Sequence, residues 1–294
     1  MTPQDFDYLR KLLRDRSGLV LSAEKQYLAE SRLLPVARKH RFGTLTDLVG
    51  QLKTTPTSPL ATAVVEAMTT NETFFFRDKI PFEHFRDTIM PALMVSHAGR
   101  RRIRIWCTAA ASGQEPYSLA MMLREMGKEL AGFRIEILAT DLSSEVLEKA
   151  KAGLYSQFEV QRGLPIQNLV KYFTQAGDAW QVVPELRAMV SFRQLNLLQD
   201  FGHLGSFDLI FCRNVLIYFD QPTKSGVLDR LARVIEPDGF LVLGAAETVV
   251  GLTDAFKLVP EKRGLYVPNA AAGRGAFGAT KPPPTRPIAF AGVR

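Results

Sequence analysis

Four segments of the chain carry residues whose types and order could do chemistry together. An apolar run ending at Trp106-Cys107 passes into Thr108-Ala109-Ala110-Ala111-Ser112-Gly113-Gln114-Glu115-Pro116-Tyr117-Ser118 and then directly into a helical pattern. Small residues let backbone approach a ligand closely, and open α/β sheets place their ligands at the carboxyl ends of strands. The loop lacks the GxGxxG spacing, which disfavours a dinucleotide phosphate cradle. Its plainer reading is a tight crossover with small residues for packing. A second apolar run ends in Ala139-Thr140-Asp141, about where a ribose-binding carboxylate falls in nucleotide-binding βαβ units. Asp141 could accept hydrogen bonds from two ribose hydroxyls, or it could cap a helix starting at Ser143 or Ser144. A third run delivers Cys212 to Phe219 to the same edge, bringing Arg213, Asn214 and Tyr218 near it, although Val215 to Ile217 also read as core.

The fourth segment, Thr69-Thr70-Asn71-Glu72-Thr73-Phe74-Phe75-Phe76-Arg77-Asp78, precedes the others and joins polar residues to three consecutive phenylalanines. It reads either as a capped helix start that staples one unit onto the next, or as an aromatic wall beside Arg77 for a cation such as a sulfonium.

Bringing these segments together requires a parallel sheet. From Arg101 onward, apolar strands alternate with amphipathic helices, the pattern of a sheet covered on both faces. Strands are predicted at 103–107, 133–140, 189–194, 207–212 and 239–245, with helices at 114–130, 143–153 and 223–235. Apolar stretches at 256–259 and 264–268 flank Pro260-Glu261-Lys262-Arg263 and predict a terminal antiparallel hairpin. The fold class is therefore α/β, a mostly parallel, Rossmann-like, seven-stranded sheet. Gly163, Pro165, Gly177 and Pro184 interrupt the alternation and predict an inserted small subdomain with strand content at about 155–188.

Residues 1–70 read instead as short helices joined by turns. Thr2 can cap a first helix with Pro3 at its first position, and Phe6, Leu9 and Leu13 share one face before Gly18 ends it. A second helix, starting near Ser22, carries Arg32, Arg38, Lys39 and Arg41, with Pro35 predicted to kink or break it. Ser58-Pro59 opens another, with a buried stripe of Leu60, Val64 and Met68. Residues 71–98 link this unit to a sheet domain over 99–268, and the Pro-, Gly- and Ala-rich stretch 269–294 is predicted to be disordered.

Composition narrows the class. At 294 residues and 46% apolar content the chain can bury one large core and a smaller companion, which excludes a protein dominated by disorder. It has no run of about 18 apolar residues, and its start is charged and helical, so a cytoplasmic protein without membrane insertion is expected. The two cysteines, Cys107 and Cys212, sit in apolar strand-like runs and read as buried hydrophobes, with no metal expected. A net charge of +7 suits nucleic acid, an anionic membrane or an acidic protein without choosing among them.

The segments TTNETFFFRD, AAASGQEPYSLA, ATDLSSEVLEKAKAGLY, FRQLNLL and FDLIFCRNVLIYFD, in this order and spacing, resemble the bacterial chemoreceptor methyltransferase (CheR) family over approximately residues 1–268. The resemblance implies a class I methyltransferase domain, an N-terminal helical receptor-docking domain and an inserted β-subdomain. It further implies S-adenosylmethionine as cofactor, S-adenosylhomocysteine as product, and glutamate side chains on the cytoplasmic helical bundle of a chemoreceptor as acceptors in sensory adaptation. A monomer with no nucleic-acid partner is expected.

By the same resemblance, Asn71, Thr73 and Arg77 close over the cofactor, Glu115 and Asp141 contact its methionine and ribose portions, and Asn196 and Leu197 sit by the adenine. Cys212 and Arg213 line the remaining edge, and Arg77 and Tyr218 lie nearest the transferring methyl. Arg32, Arg38 and Lys39 on the basic helix would meet the receptor, unless that face is simply solvated. One departure is local: the family often has two hydroxyl residues before the loop glycine, whereas here Ala111 precedes Ser112. Two other functions fit the same fold, a nucleic-acid methyltransferase and a noncatalytic cofactor-sensing adaptor. The first lacks its usual Asp/Asn-Pro-Pro-Tyr/Phe loop here, and the joint presence of Arg77, Glu115, Asp141, Arg213 and Tyr218 speaks against the second.

Overall fold

The computed structural model describes residues 1–270, so the tail predicted to be disordered lies almost wholly outside the described residues. Helix α1 (Pro3–Ser17) begins with a reciprocal cap: Thr2 Oγ1 accepts from the Asp5 amide at 3.1 Å while the Asp5 carboxylate accepts from the Thr2 amide at 3.3 Å. It ends at Gly18, whose φ of 76° needs a residue without a β-carbon. Helices α2 (Gln26–Lys39), α3 (Leu45–Thr54) and α4 (Pro59–Met68) pack with it around Leu9, Leu13, Leu33, Leu48 and Val64. The helical stretch opens, as expected, just after Ser22, with a 3-10 turn at Ala23–Lys25 that runs into α2, and Pro35 sits inside α2 without breaking it. Pro35 and Ser31 are both exposed, so the carbonyl that loses its helical partner to the proline can turn to water.

Residues 80–96 form α5 (Ile80–His84), a π-turn (Phe85–Ile89) and α6 (Met90–Ser96), and lead into the sheet. From there the chain runs β1 (Arg102–Cys107), α7 (Gln114–Glu125), β2 (Arg134–Asp141) and α8 (Ser144–Ala152). An insert follows: β3 (Leu154–Ser156), α9 (Gln157–Gln161), α10 (Ile166–Tyr172), β4 (Phe173–Ala176), β5 (Ala179–Val182) and α11 (Pro184–Arg187). The main chain resumes with β6 (Val190–Gln194), β7 (Phe207–Cys212), α12 (Gln221–Val234), β8 (Ile235–Leu243), β9 (Phe256–Leu258) and β10 (Leu265–Pro268).

The sheet order is β6-β2-β1-β7-β8-β10-β9, parallel throughout except for β10, which runs antiparallel to both neighbours. This is the predicted class I methyltransferase sheet with its terminal hairpin. Side chains alternate between faces along each strand: Ile105, Cys107, Leu209 and Phe211 enter the core under α5 to α7, whereas Trp106, Ile210 and Cys212 enter the core under α12. The predicted helix 114–130 stops at Glu125, two residues before Gly127. The insert builds a separate antiparallel sheet, β3-β5-β4, which packs Tyr155 and Phe173 into the first core.

Phe75 meets those two rings edge-on, with centroids 5.1 and 5.6 Å away, and Phe76 packs on Phe82 at 5.3 Å. Phe75 and Phe76 are therefore packing residues of the junction, although no helix starts there. None of the three rings lines the cavity described below, and Phe74 instead lies against the guanidinium groups of Arg77 and Arg162.

Candidate functional site

At the carboxyl ends of β1, β2 and β7, beneath the helical bundle, lies a cavity with about 940 Å3 of space, partly open to solvent. Its floor is the loop after β1. Ala111 adopts a left-handed φ of 45°, which turns its amide onto Asp141 Oδ2 at 2.8 Å. Asp141 Oδ1 accepts from the Ser143 amide at 3.0 Å, while Ser143 itself occupies the N-cap position of α8. Asp141 thus holds the loop and the turn together from the tip of β2 and still borders the cavity. The contact between Ala111 and Asp141 is made by the backbone amide and needs no hydroxyl at position 111.

The second wall is Cys212 to Phe219. Arg213 is buried, and it donates from Nη1 to Glu115 Oε2 at 2.7 Å and from Nη2 to Asp78 Oδ2 and the Arg77 carbonyl, each at 2.8 Å. One guanidinium therefore ties the start of α7, the loop after β7 and the junction strap 71–78. Burial holds the Glu115 carboxyl above its ordinary value despite the Arg213 charge beside it, and burial likewise raises Asp141 against its backbone donors. Both carboxylates line the cavity, where their oxygens can accept hydrogen bonds from a ligand.

The strap and the bundle supply the remaining walls. Arg77 donates to the Glu72 carbonyl at 2.6 Å and lies 5.7 Å from the Phe74 ring, whose centroid is also 4.4 Å from Arg162 of the insert. Glu72 pairs with Arg162 at 2.6 Å, which holds its carboxyl below the ordinary value. From the bundle, the Val20 amide donates to the Tyr218 carbonyl at 2.9 Å, Arg14 pairs with Asp220 at 2.7 Å, and Asn196 Nδ2 donates to the Arg16 carbonyl at 2.6 Å. The end of α1 is thereby fastened to the loop that carries Tyr218.

Asn71, Thr73, Arg77, Glu115, Asp141, Asn196, Leu197, Arg213 and Tyr218 all line this one cavity. Cys212 does not; its side chain enters the core under α12, one residue out of phase with the site. Burial pushes the thiols of Cys107 and Cys212 up, away from thiolate chemistry. On α2, Arg32 donates to the Met68 and Thr69 carbonyls at 2.8 and 3.0 Å, whereas Arg38 and Lys39 are exposed. Ser17 and Leu19 also line the cavity, from a bundle whose sequence gave no hint of reaching it.

The donor set describes a ligand. Thr108 Oγ1 is buried at the cavity wall without a hydrogen-bond partner, an orphan that a bound polar group would satisfy. Asp141 offers acceptors to hydroxyls, Glu115 offers an acceptor to a cation, Arg77 offers donors to an anion, and Leu142, Leu195 and Leu197 offer an apolar slot to a flat ring. S-adenosylmethionine carries each of these groups, so the residues present fit it.

Comparison with known proteins agrees. Residues 71–265 match the family described as CheR methyltransferase, SAM binding domain, and residues 4–69 match CheR methyltransferase, all-alpha domain. The chain is 42% identical over 265 residues to chemotaxis protein methyltransferase 1 of Pseudomonas aeruginosa, covering 89% of this chain and 96% of that one. It is 40% identical over 262 residues to chemotaxis protein methyltransferase 1 of Vibrio cholerae, covering 88% and 94% respectively. A chemotaxis protein methyltransferase of Borreliella burgdorferi is 34% identical over 265 residues, covering 88% and 93%.

Proposed function

This chain belongs to the CheR methyltransferase family, and from that premise we propose that it esterifies glutamate side chains on the cytoplasmic helical bundle of a chemoreceptor. The observation that supports this most is the convergence of Arg77, Asp141 and Tyr218 on a single cavity at the rim of the sheet. S-adenosylmethionine, when bound, supplies a methyl group made electrophilic by its sulfonium charge. A glutamate side chain, with a reference pKa of about 4.3, is already ionised near neutrality, so the site needs no general base. The protein's task is to strip water from that carboxylate, hold one oxygen close to the methyl carbon and keep the approach linear.

Arg77 and Tyr218 suit that task because each can donate to a carboxylate oxygen without abstracting a proton. Asp141 would accept from the ribose hydroxyls, Glu115 would face the ammonium, and Leu197 and Asn196 would border the adenine. Asn71 and Thr73 would close the strap over the methionine portion. Among the described residues no helix is long and apolar enough to cross a membrane, and the reaction is taken to occur in the cytoplasm, where the receptor bundle lies. The test is incubation with radiolabelled S-adenosylmethionine and receptor cytoplasmic fragments, followed by alkali. Label released by base from glutamate is the expected result; base-stable label on protein, or label on nucleic acid, defeats the proposal.

For docking, the exposed Arg38 and Lys39 are the residues to alter, because a change at Arg32 would also loosen the strap. Arg38→Glu combined with Lys39→Glu should raise the KM for receptor by about tenfold at low salt and leave kcat unchanged. A KM that does not move in initial-rate measurements removes this face from docking.

A further inference from the structure

Glu247 follows β8 on a turn that the sequence left without a role. It is 9% exposed and does not border the cavity. Its Oε1 accepts from the amides of Val215 at 3.0 Å, Leu216 at 2.8 Å and Ile217 at 3.4 Å, and its Oε2 from Asn214 at 2.8 Å and Gly244 at 2.7 Å. Four of those five donors are the consecutive residues between Arg213 and Tyr218. Among the described residues these four amides find no other acceptor: Asn214 is held at a left-handed φ of 56°, and the 3-10 turn Leu216–Tyr218 begins with its first amides unpaired inside the turn.

The fit is specific to a carboxylate. Only an acceptor with several lone pairs on two oxygens can meet five N–H groups at once. Its negative charge also sits at the positive end of the short turn. The neighbouring backbone has been cleared to admit it: a β-carbon on Gly244 would lie 2.6 Å from Glu247 Oε2 and 3.0 Å from the Asn214 amide. From the other side, the Val20 amide, the ring of Phe219 under Gly18 and the Arg14–Asp220 pair hold the later part of the loop, beyond the four amides that Glu247 binds.

We infer that Glu247 is a positioning residue for methyl transfer, an acceptor hub that fixes the Asn214–Ile217 backbone and so the place from which Tyr218 meets the acceptor carboxylate. This rests on the participation of Tyr218 proposed above. Glu247→Gln puts an amide donor against N–H donors and frees the loop without touching any cavity-lining side chain.

The test is a double-mutant cycle on kcat at saturating receptor fragment and cofactor, with Tyr218→Phe as the second change. Glu247→Gln should lower kcat on the order of tenfold or more, and in the Tyr218→Phe background should cost less than about threefold, because the group it positions is already gone. Gly244→Ala, which crowds the same carboxylate while leaving it charged, should repeat both results and serves in its place if Glu247→Gln does not fold. A purely structural role would instead multiply the two losses. Normal kcat in Glu247→Gln or Gly244→Ala, or multiplying losses while Tyr218→Phe alone is slow, overturns the inference and leaves the proposed function standing. A Tyr218→Phe variant with normal kcat overturns the inference together with the assigned role of Tyr218.

Discussion

Arg77→Ala is expected to lower kcat/KM for receptor methylation by about 10²- to 10³-fold and to weaken cofactor binding at the same time. The side chain lies where two ligands meet: it borders the cavity beside Glu115, and it is aimed by its bond to the Glu72 carbonyl and by the ring of Phe74. The fold should survive the change, because the strap is held by its backbone. Arg213 grips the Arg77 carbonyl, and the Phe76 amide donates to Ser118 Oγ at 3.0 Å, neither of which needs the Arg77 side chain. Thermal unfolding should therefore move little while initial rates collapse. Arg77→Lys keeps the charge but not the planar fork, and should recover only part of the rate. Tyr218→Phe offers the contrast, with a kcat loss of about tenfold and calorimetric cofactor affinity unchanged. If Arg77→Ala retains wild-type rates, the carboxylate-holding role assigned to it is wrong, and the acceptor must be positioned from the Tyr218 loop alone.

What the sequence made legible is whatever local spacing and punctuation decide. The apolar run predicted β1 almost to the residue, and the cap at Thr2 and the stop at Gly18 bounded α1 without reference to anything distant. Asp141, Arg213 and Tyr218 were found because the ends of parallel strands must meet at one edge, and a family resemblance drew in the strap, Asn196 and Leu197, but not Ser17 or Leu19 of the bundle. Most of the misses depend on surroundings that local sequence does not reveal. Arg32 looked like a surface charge until Met68 and Thr69 presented their carbonyls to it, and Pro35 looked like a breaker until its side of α2 proved to face water. The three phenylalanines were ambiguous because a staple and a cation wall use the same residues, and only the rings of Tyr155 and Phe173 decide between them. Glu247 carried no local signal, since its five donors come from elsewhere along the chain or from its own turn. Cys212 shows the same limit at one step of the pleat: its side chain is the buried hydrophobe that the apolar run predicted, while its neighbour Arg213 faces the cavity.

The largest stability effect should come from Arg213→Met, a loss of about 3–5 kcal/mol at pH 8 that shrinks in acid. Removing the guanidinium strands Glu115, a carboxylate inside the protein whose nearest cation is then gone. Asp78 loses a partner too, but it is partly exposed and water can replace the bond. The sign of the pH dependence follows from Glu115. Burial already raises its folded pKa above the unfolded value, so the unfolded chain gives up the proton first and stability falls as pH climbs from the unfolded pKa through the folded one. Without Arg213 the folded value rises further, and the window of instability extends upward. At pH 5 much of that penalty is avoided by keeping Glu115 protonated; at pH 8 it is not. Urea unfolding of both proteins at the two pH values measures the difference, and an equal deficit at each would show that the buried charge is not its cause. Adding Glu115→Gln to Arg213→Met provides the independent check. A neutral side chain of the same shape removes the stranded charge, so the double variant should be more stable at pH 8 than Arg213→Met alone and should lose the fall in stability between pH 5 and pH 8 that Glu115 causes in that single variant.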